Sequence, residues 1–124
     1  MSRPMSRKIL VADDNTASRE LIREVLEMSG YDVVEAADGH AAVGAARANA
    51  PDLVLVDIQM PRLDGYGVLR ELRADPLLSG LHVVALTAFA MQGDRDRALD
   101  AGFDGYITKP VDIATLRQEI RKLL

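Results

Sequence analysis

Two acids in tandem, Asp13-Asp14, follow the aliphatic run KILVA, and a third, Asp57, closes the run LVLVD. Thr87 and Lys109 occupy comparable places after the runs VVAL and GYIT. Carboxylates, a hydroxyl and an ammonium are groups that hold a hard cation, bind an anionic oxyacid or attack an electrophile. Three carboxylates in one crevice repel each other and need a countercharge. Lys109 supplies one positive charge, and a hard divalent cation would supply two. An all-oxygen donor set, with water completing the shell, suits Mg²⁺, which works where phosphate oxygens are also ligands.

Each residue also has a plainer reading. An Asp-Asn-Thr run after a strand is a common helix N-cap, which by itself would account for Asp14 or Asn15. Thr87 alone reads as a strand-end threonine, and Lys109 alone as a surface lysine before a proline. Asp57 is different. An ionised carboxylate ending a strand buried on both faces loses its hydration unless partners replace it. The placement of all five at one predicted edge favours the phosphate-and-metal reading over five separate coincidences.

That edge is set by the elements. Strand candidates at Lys8–Ala12, Tyr31–Glu35, Leu53–Asp57, Leu81–Leu86 and Asp104–Thr108 alternate with helical patterns. Leu21, Ile22, Val25 and Leu26 repeat at helical spacing, as do Val68, Leu69 and Leu72. Ile113, Leu116, Ile120 and Leu123 are expected on one helical face. Gly30 and Gly102 fall where helices should stop, since glycine adopts the left-handed cap cheaply. The stretch Ala37–Ala48 is alanine-rich but carries Gly44, so it is the weakest helix signal. Five βα units of this length imply an α/β fold with a five-stranded parallel sheet, right-handed crossovers and helices on both faces. Ligands in such doubly wound sheets bind beyond the carboxyl ends of the strands. Asp13, Asp14, Asp57, Thr87 and Lys109 all map there.

Composition narrows the classes. With 124 residues, 48% hydrophobic and 27% charged, the chain fits one soluble domain over residues 7–124 after a polar, flexible start at Met1–Ser6. A net charge of −4 argues against nonspecific nucleic-acid binding, and Arg117, Arg121 and Lys122 read as a solvated helix face. There is no cysteine, hence no disulfide framework and no thiolate metal site. Apolar runs are too short for a membrane span and no signal peptide is apparent, so a cytoplasmic location is expected. Ala88-Phe89-Ala90-Met91 forms an apolar run in a predicted loop. Phe89 and Met91 either meet a partner there or tuck beneath the following helix. His40 and His82 sit in no helical hairpin suited to phosphotransfer and read as incidental.

The segments ILVADDN, PDLVLVDIQMPRLDGY, VVALTA and GYITKP, in that order, resemble the motifs of the response-regulator receiver family across nearly the whole chain. The resemblance implies a flavodoxin-like (βα)5 fold with strand order 2-1-3-4-5. It implies Asp57 as phosphoacceptor, with Asp13, Asp14, Asp57 and the Gln59 backbone carbonyl around Mg²⁺. Thr87 and Lys109 would contact phosphoryl oxygens, Lys109-Pro110 would be cis, and Tyr106 would change rotamer with Thr87. A sensor histidine kinase or histidine phosphotransfer protein would dock near Asn15 and Arg19 on the first helix. A downstream protein target would meet the face of the fourth helix, fifth strand and fifth helix, including Phe89 and Met91. The implied protein is a signalling switch that catalyses only its own phosphorylation and dephosphorylation, as a monomer or weak dimer.

Three rivals share parts of this pattern. A phosphatase of the haloacid dehalogenase type, which forms an aspartyl phosphate, wants a second acid two residues after the nucleophile, where Gln59 stands. A flavodoxin-like electron carrier needs a first loop that cradles phosphate, and Asp13-Asp14 would repel one. A receiver excised from a hybrid histidine kinase or multidomain regulator is the closer competitor, because LVLVDIQMP and ALTAFAMQGD resemble hybrid-kinase receivers. The Met1-Ser2-Arg3 start and the end at Leu124 favour a stand-alone receiver of the division-control or chemotaxis kind.

Overall fold

The computed structural model describes residues 7–88 and 91–124; the expectations for Met1–Ser6 and Phe89 lie outside the described residues. The order is β1 (Lys8–Ala12), α1 (Thr16–Met28), β2 (Asp32–Ala36), α2 (Gly39–Asn49) and β3 (Leu53–Asp57). It continues with α3 (Gly65–Ala74), β4 (His82–Thr87), α4 (Asp94–Ala101), β5 (Gly105–Thr108) and α5 (Ile113–Leu123). All strand pairs are parallel, in the sheet order β2-β1-β3-β4-β5. This is the doubly wound order expected, with the chain reversing direction across the sheet between β1 and β3.

The period-2 alternation of the strands builds two cores. Ile9, Val11, Leu53, Leu55, Val84, Leu86 and Ile107 face α1 and α5, where Ile22, Leu26, Leu116 and Ile120 cover them. Leu10, Ala12, Val54, Val56, Val83 and Ala85 face the other way onto α2, α3 and α4. Every residue of β3 is buried, Asp57 included. At about 1.5–3 kcal/mol per fully buried aliphatic side chain, the central strand is anchored firmly.

Asn15, Asp38, Asp64 and Asp112 cap α1, α2, α3 and α5 through side-chain oxygens that accept backbone N–H groups. The alanine-rich helix therefore forms despite Gly44, whose α-carbon faces open space, and it begins at Gly39, just after its cap. Gly30 and Gly102 hold positive φ of 95° and 115° behind α1 and α4, as the sequence requires. Ile113, the first residue of α5, is 47% exposed, and burial on that helical face begins one turn later at Leu116.

α4 is the least secured helix. Its N-cap, Gly93, makes no side-chain capping bond, and Ala98 is its only buried residue. Its far end is tied down: Arg73 of α3 donates to the Gly102 carbonyl and to Asp104, both at 3.0 Å, and also to the Ser79 and Leu81 carbonyls. Among the described residues, no helix is long and apolar enough to cross a membrane.

Candidate functional site

The carboxyl ends of β1, β3, β4 and β5 bring the expected residues together. Asp57 follows Val56 out of the core and stays 5% exposed. Lys109 donates to Asp57 Oδ2 at 2.8 Å and to Asp13 Oδ2 at 2.6 Å, bridging carboxylates from two neighbouring strands far apart in sequence. The remaining oxygens are also held: Gln59 N–H donates to Asp57 Oδ1 and Asn15 N–H to Asp13 Oδ1, both at 2.9 Å. Asn15 Oδ1 accepts the Ser18 N–H, so Asn15 rather than Asp14 is the helix cap. The Asp14 side chain is exposed at the rim. Carboxylate oxygens of Asp13, Asp14 and Asp57 all lie within 4.8 Å of one another.

This donor set fits a hard divalent cation. One lysine faces three carboxylates, so two negative charges lack a countercharge when all three are ionised, and every donor is oxygen. Burial raises the Asp57 pKa, with Asp13 adding to it, against the lowering pull of Lys109 and the Gln59 N–H. Burial works to lower the Lys109 pKa, but its hydrogen bonds to Asp13 and Asp57 outweigh that and leave it raised.

The loops are fixed by close backbone packing. A Cβ on Gly65 would stand 2.7 Å from Ile58 Cα and 2.8 Å from the Asp57 carbonyl oxygen, so only glycine lets α3 start this near the site. Lys109 N–H donates to the Thr87 carbonyl at 2.7 Å, which sets the lysine beside β4, and Lys109-Pro110 is cis. Thr87 is buried. Tyr106 is buried in the α2–α3–α4 core, and its hydroxyl has no hydrogen-bond partner among the described residues.

Arg19 differs from what the sequence suggests. Only 15% of its side chain is exposed: Nη1 donates to the Asp13 carbonyl at 2.7 Å and Nε to Glu35 at 3.0 Å. Arg23 holds the other Glu35 oxygen at 2.8 Å. Sequence reasoning overlooked Glu35, although an acid inside a strand, level with basic residues four apart on α1, was a readable signal. The Arg23 hydrogen bond, against the opposing effect of burial, and then the Arg19 hydrogen bond, lower the Glu35 pKa. A carboxylate easier to ionise when folded stabilises the protein above its unfolded pKa, near 4.5, and that contribution fades as the pH falls through the folded value. Glu35→Gln should therefore be less stable than the native chain at pH 7, with the gap narrowing as the pH falls below 4.5. Urea unfolding across that range reads it, and a gap independent of pH would contradict the pairing.

The family model of the response regulator receiver domain matches residues 9–121. The chain belongs to this family. It is 36% identical over 120 residues to the polar-differentiation response regulator DivK of Brucella ovis, covering 97% of this receiver and 98% of DivK. The receiver domain of the sensor histidine kinase PA1611 from Pseudomonas aeruginosa is 37% identical, with a TM-score of 0.87 over 95% of this receiver and 97% of that chain. That structure has a magnesium ion coordinated in its active-site cleft. The chemotaxis response regulator CheY4 of Vibrio cholerae matches with a TM-score of 0.89 at 25% identity, covering 97% of this receiver and all of that chain. Receivers of this family are signalling switches in two-component systems, and this one has their five-stranded fold.

Proposed function

We propose that this receiver accepts a phosphoryl group on Asp57 from the phosphohistidine of a sensor kinase or phosphotransfer protein, and that the acyl phosphate changes which protein it binds. The observation that carries the reading is Asp57 itself, a buried carboxylate bridged by Lys109 to Asp13 and adjoining Asp14. Asp57 is the nucleophile. Its oxygen forms a bond to phosphorus as the P–N bond to imidazole breaks, and the imidazole leaves with that electron pair. Asp13, Asp14, Asp57 and the Gln59 carbonyl would hold Mg²⁺, which when bound supplies charge neutralisation at the phosphoryl oxygens. Lys109 adds a fixed positive charge, transferring its Asp57 contact to a phosphoryl oxygen while keeping Asp13.

The Thr87 hydroxyl donates to a second phosphoryl oxygen, and Tyr106 changes rotamer with Thr87. Moving a switch from 1:99 to 99:1 takes about 5.5 kcal/mol of differential stabilisation, on the scale that several charge-assisted hydrogen bonds supply. The donor protein would dock on a groove of 590 Å³ beside Lys109, lined by Asn15, Ala17, Leu21, Ala88, Pro110 and Val111. Half-exposed Leu21 supports an apolar contact there. Met91 and Leu99, both exposed, support a target-binding face at α4.

A second reading, a receiver that operates within a hybrid kinase, is favoured by the 37% identity to the PA1611 receiver. It shares the chemistry and differs only in whether the donor lies on the same chain. Incubation with acetyl phosphate and Mg²⁺, followed by intact mass and peptide mapping, tests the common core. One phosphoryl group on Asp57, absent without Mg²⁺, is expected. Turnover of p-nitrophenyl phosphate in its place would indicate a hydrolase.

A further inference from the structure

We propose that Arg19, held by Glu35, is a positioning residue for the divalent-cation site and acts through the main chain of Asp13. The inference rests on the reading of Asp13, Asp14 and Asp57 as cation ligands. The Asp13 backbone is secured on both sides. Its N–H donates to the Ala36 carbonyl at the end of β2, at 3.1 Å, and its carbonyl accepts from Arg19 Nη1 at 2.7 Å. That carbonyl belongs to the same planar peptide unit as the Asp14 N–H. Fixing it therefore fixes the plane that joins the two neighbouring acids, and with it the direction in which Asp14 leaves the chain.

The guanidinium is suited to this task. It is planar, permanently charged and carries several donors in a fixed fork, so one side chain reaches the carbonyl and Glu35 together. Glu35 is fully engaged, with Arg19 on one oxygen and Arg23 on the other. It sits one residue before Ala36, so the last two residues of β2 hold Asp13 from two directions. Arg23 shares the Glu35 anchor, and its other ion pair is with Glu27 on the same helix rather than with Asp13. The two arginines thus separate general support of the α1–β2 contact from support of the acidic loop.

The sign of the effect distinguishes positioning from charge. On Coulomb grounds alone, removing a cation from beside three carboxylates should tighten Mg²⁺ binding. Loss of a residue that orients the ligands should weaken it, as removal of groups supporting metal ligands commonly does.

The test is a Mg²⁺ titration of the full chain followed by ¹H–¹⁵N NMR, with far-UV circular dichroism to verify folding. Arg19→Met keeps the aliphatic stem and removes both hydrogen bonds. Its Mg²⁺ Kd should rise about tenfold, while Arg23→Met stays within about twofold of the native chain. Phosphorylation by acetyl phosphate should recover in Arg19→Met at saturating Mg²⁺. Unchanged or tighter binding in Arg19→Met overturns the proposal, and so does an equal weakening in Arg23→Met. Should Arg19→Met not fold, Arg19→Lys carries the test, because one ammonium lacks the fork; native affinity there also overturns it. Asp13→Asn keeps the two levels apart: if it leaves Mg²⁺ affinity unchanged, the cation site itself is misassigned and the inference falls with it.

Discussion

Asp57→Asn is expected to take up no phosphoryl group from acetyl phosphate and, without Mg²⁺, to unfold at a higher urea concentration than the native chain. The first effect follows from chemistry, since a neutral amide is a poor nucleophile. The second follows from burial. The Asp57 pKa is raised in the fold, chiefly by desolvation, so its ionised form is less favourable there than in the unfolded chain despite Lys109. An acid with a raised folded pKa reduces stability once the pH passes its unfolded value, and the penalty grows until the pH passes the folded one. The amide keeps the shape and also removes the repulsion from Asp13. A gain on the order of 1 kcal/mol is expected, because Lys109 keeps Asp13 as its partner while one of two neighbouring buried like charges is removed. Added Mg²⁺ should narrow or reverse the order, since the native chain binds it more tightly. Urea midpoints with EDTA and with Mg²⁺ measure both; a variant weaker than the native chain in EDTA would refute this account of the site.

Lys109→Met should have the opposite effect on stability. The ammonium bridges Asp13 and Asp57, which are both buried, and its loss leaves two carboxylates facing each other. Removing one partner of a buried ionic cluster costs about 3–5 kcal/mol, part of which protonation of an acid would relieve. The Lys109 pKa is raised in the fold, so its contribution is complete below its unfolded value of 10.5 and is lost only as the pH rises through the folded value. The native chain therefore holds it at neutral pH. Mg²⁺ should restore part of the variant's stability, because two positive charges take the place of one. Phosphorylation should remain slow even then, by about 10²–10³-fold, since a fixed charge on the transferring group is missing. A variant with native stability in EDTA, or with native phosphorylation in Mg²⁺, would separate Lys109 from the roles given to it.

Much of this site was legible in the sequence because it is built from strand ends. A buried parallel strand announces itself by an unbroken aliphatic run, and the residue after that run must emerge at one edge. Asp13, Asp57 and Lys109 follow from that rule, and the structure brings them within hydrogen-bonding distance. Where reasoning fell short, the missing information was the direction of a side chain. Asn15 and Asp14 are adjacent and chemically similar, and only the geometry of the first helical turn assigns the cap to Asn15. Arg19 on an amphipathic helix reads as a surface cation until Glu35 and the Asp13 carbonyl are seen beside it. Ile113 shares the helical spacing of Leu116 and Ile120, but spacing does not say how far along the helix that face is covered.

The loose attachment of α4 bears on how a molecule of this kind diversifies. Arg95, Asp96, Arg97, Leu99 and Asp100 are all exposed, and the helix contributes one alanine to the core. Exchanges at such positions usually change stability by no more than about 0.5 kcal/mol. Asp13, Asp57 and Thr87, at the ends of the strands, are by contrast buried, where exchanges have larger effects. The address of the partner, if α4 carries it, is written where rewriting is nearly free. A duplicated copy could acquire a new partner by drift in a few surface codons while the cluster of Asp13, Asp57 and Lys109 stayed intact.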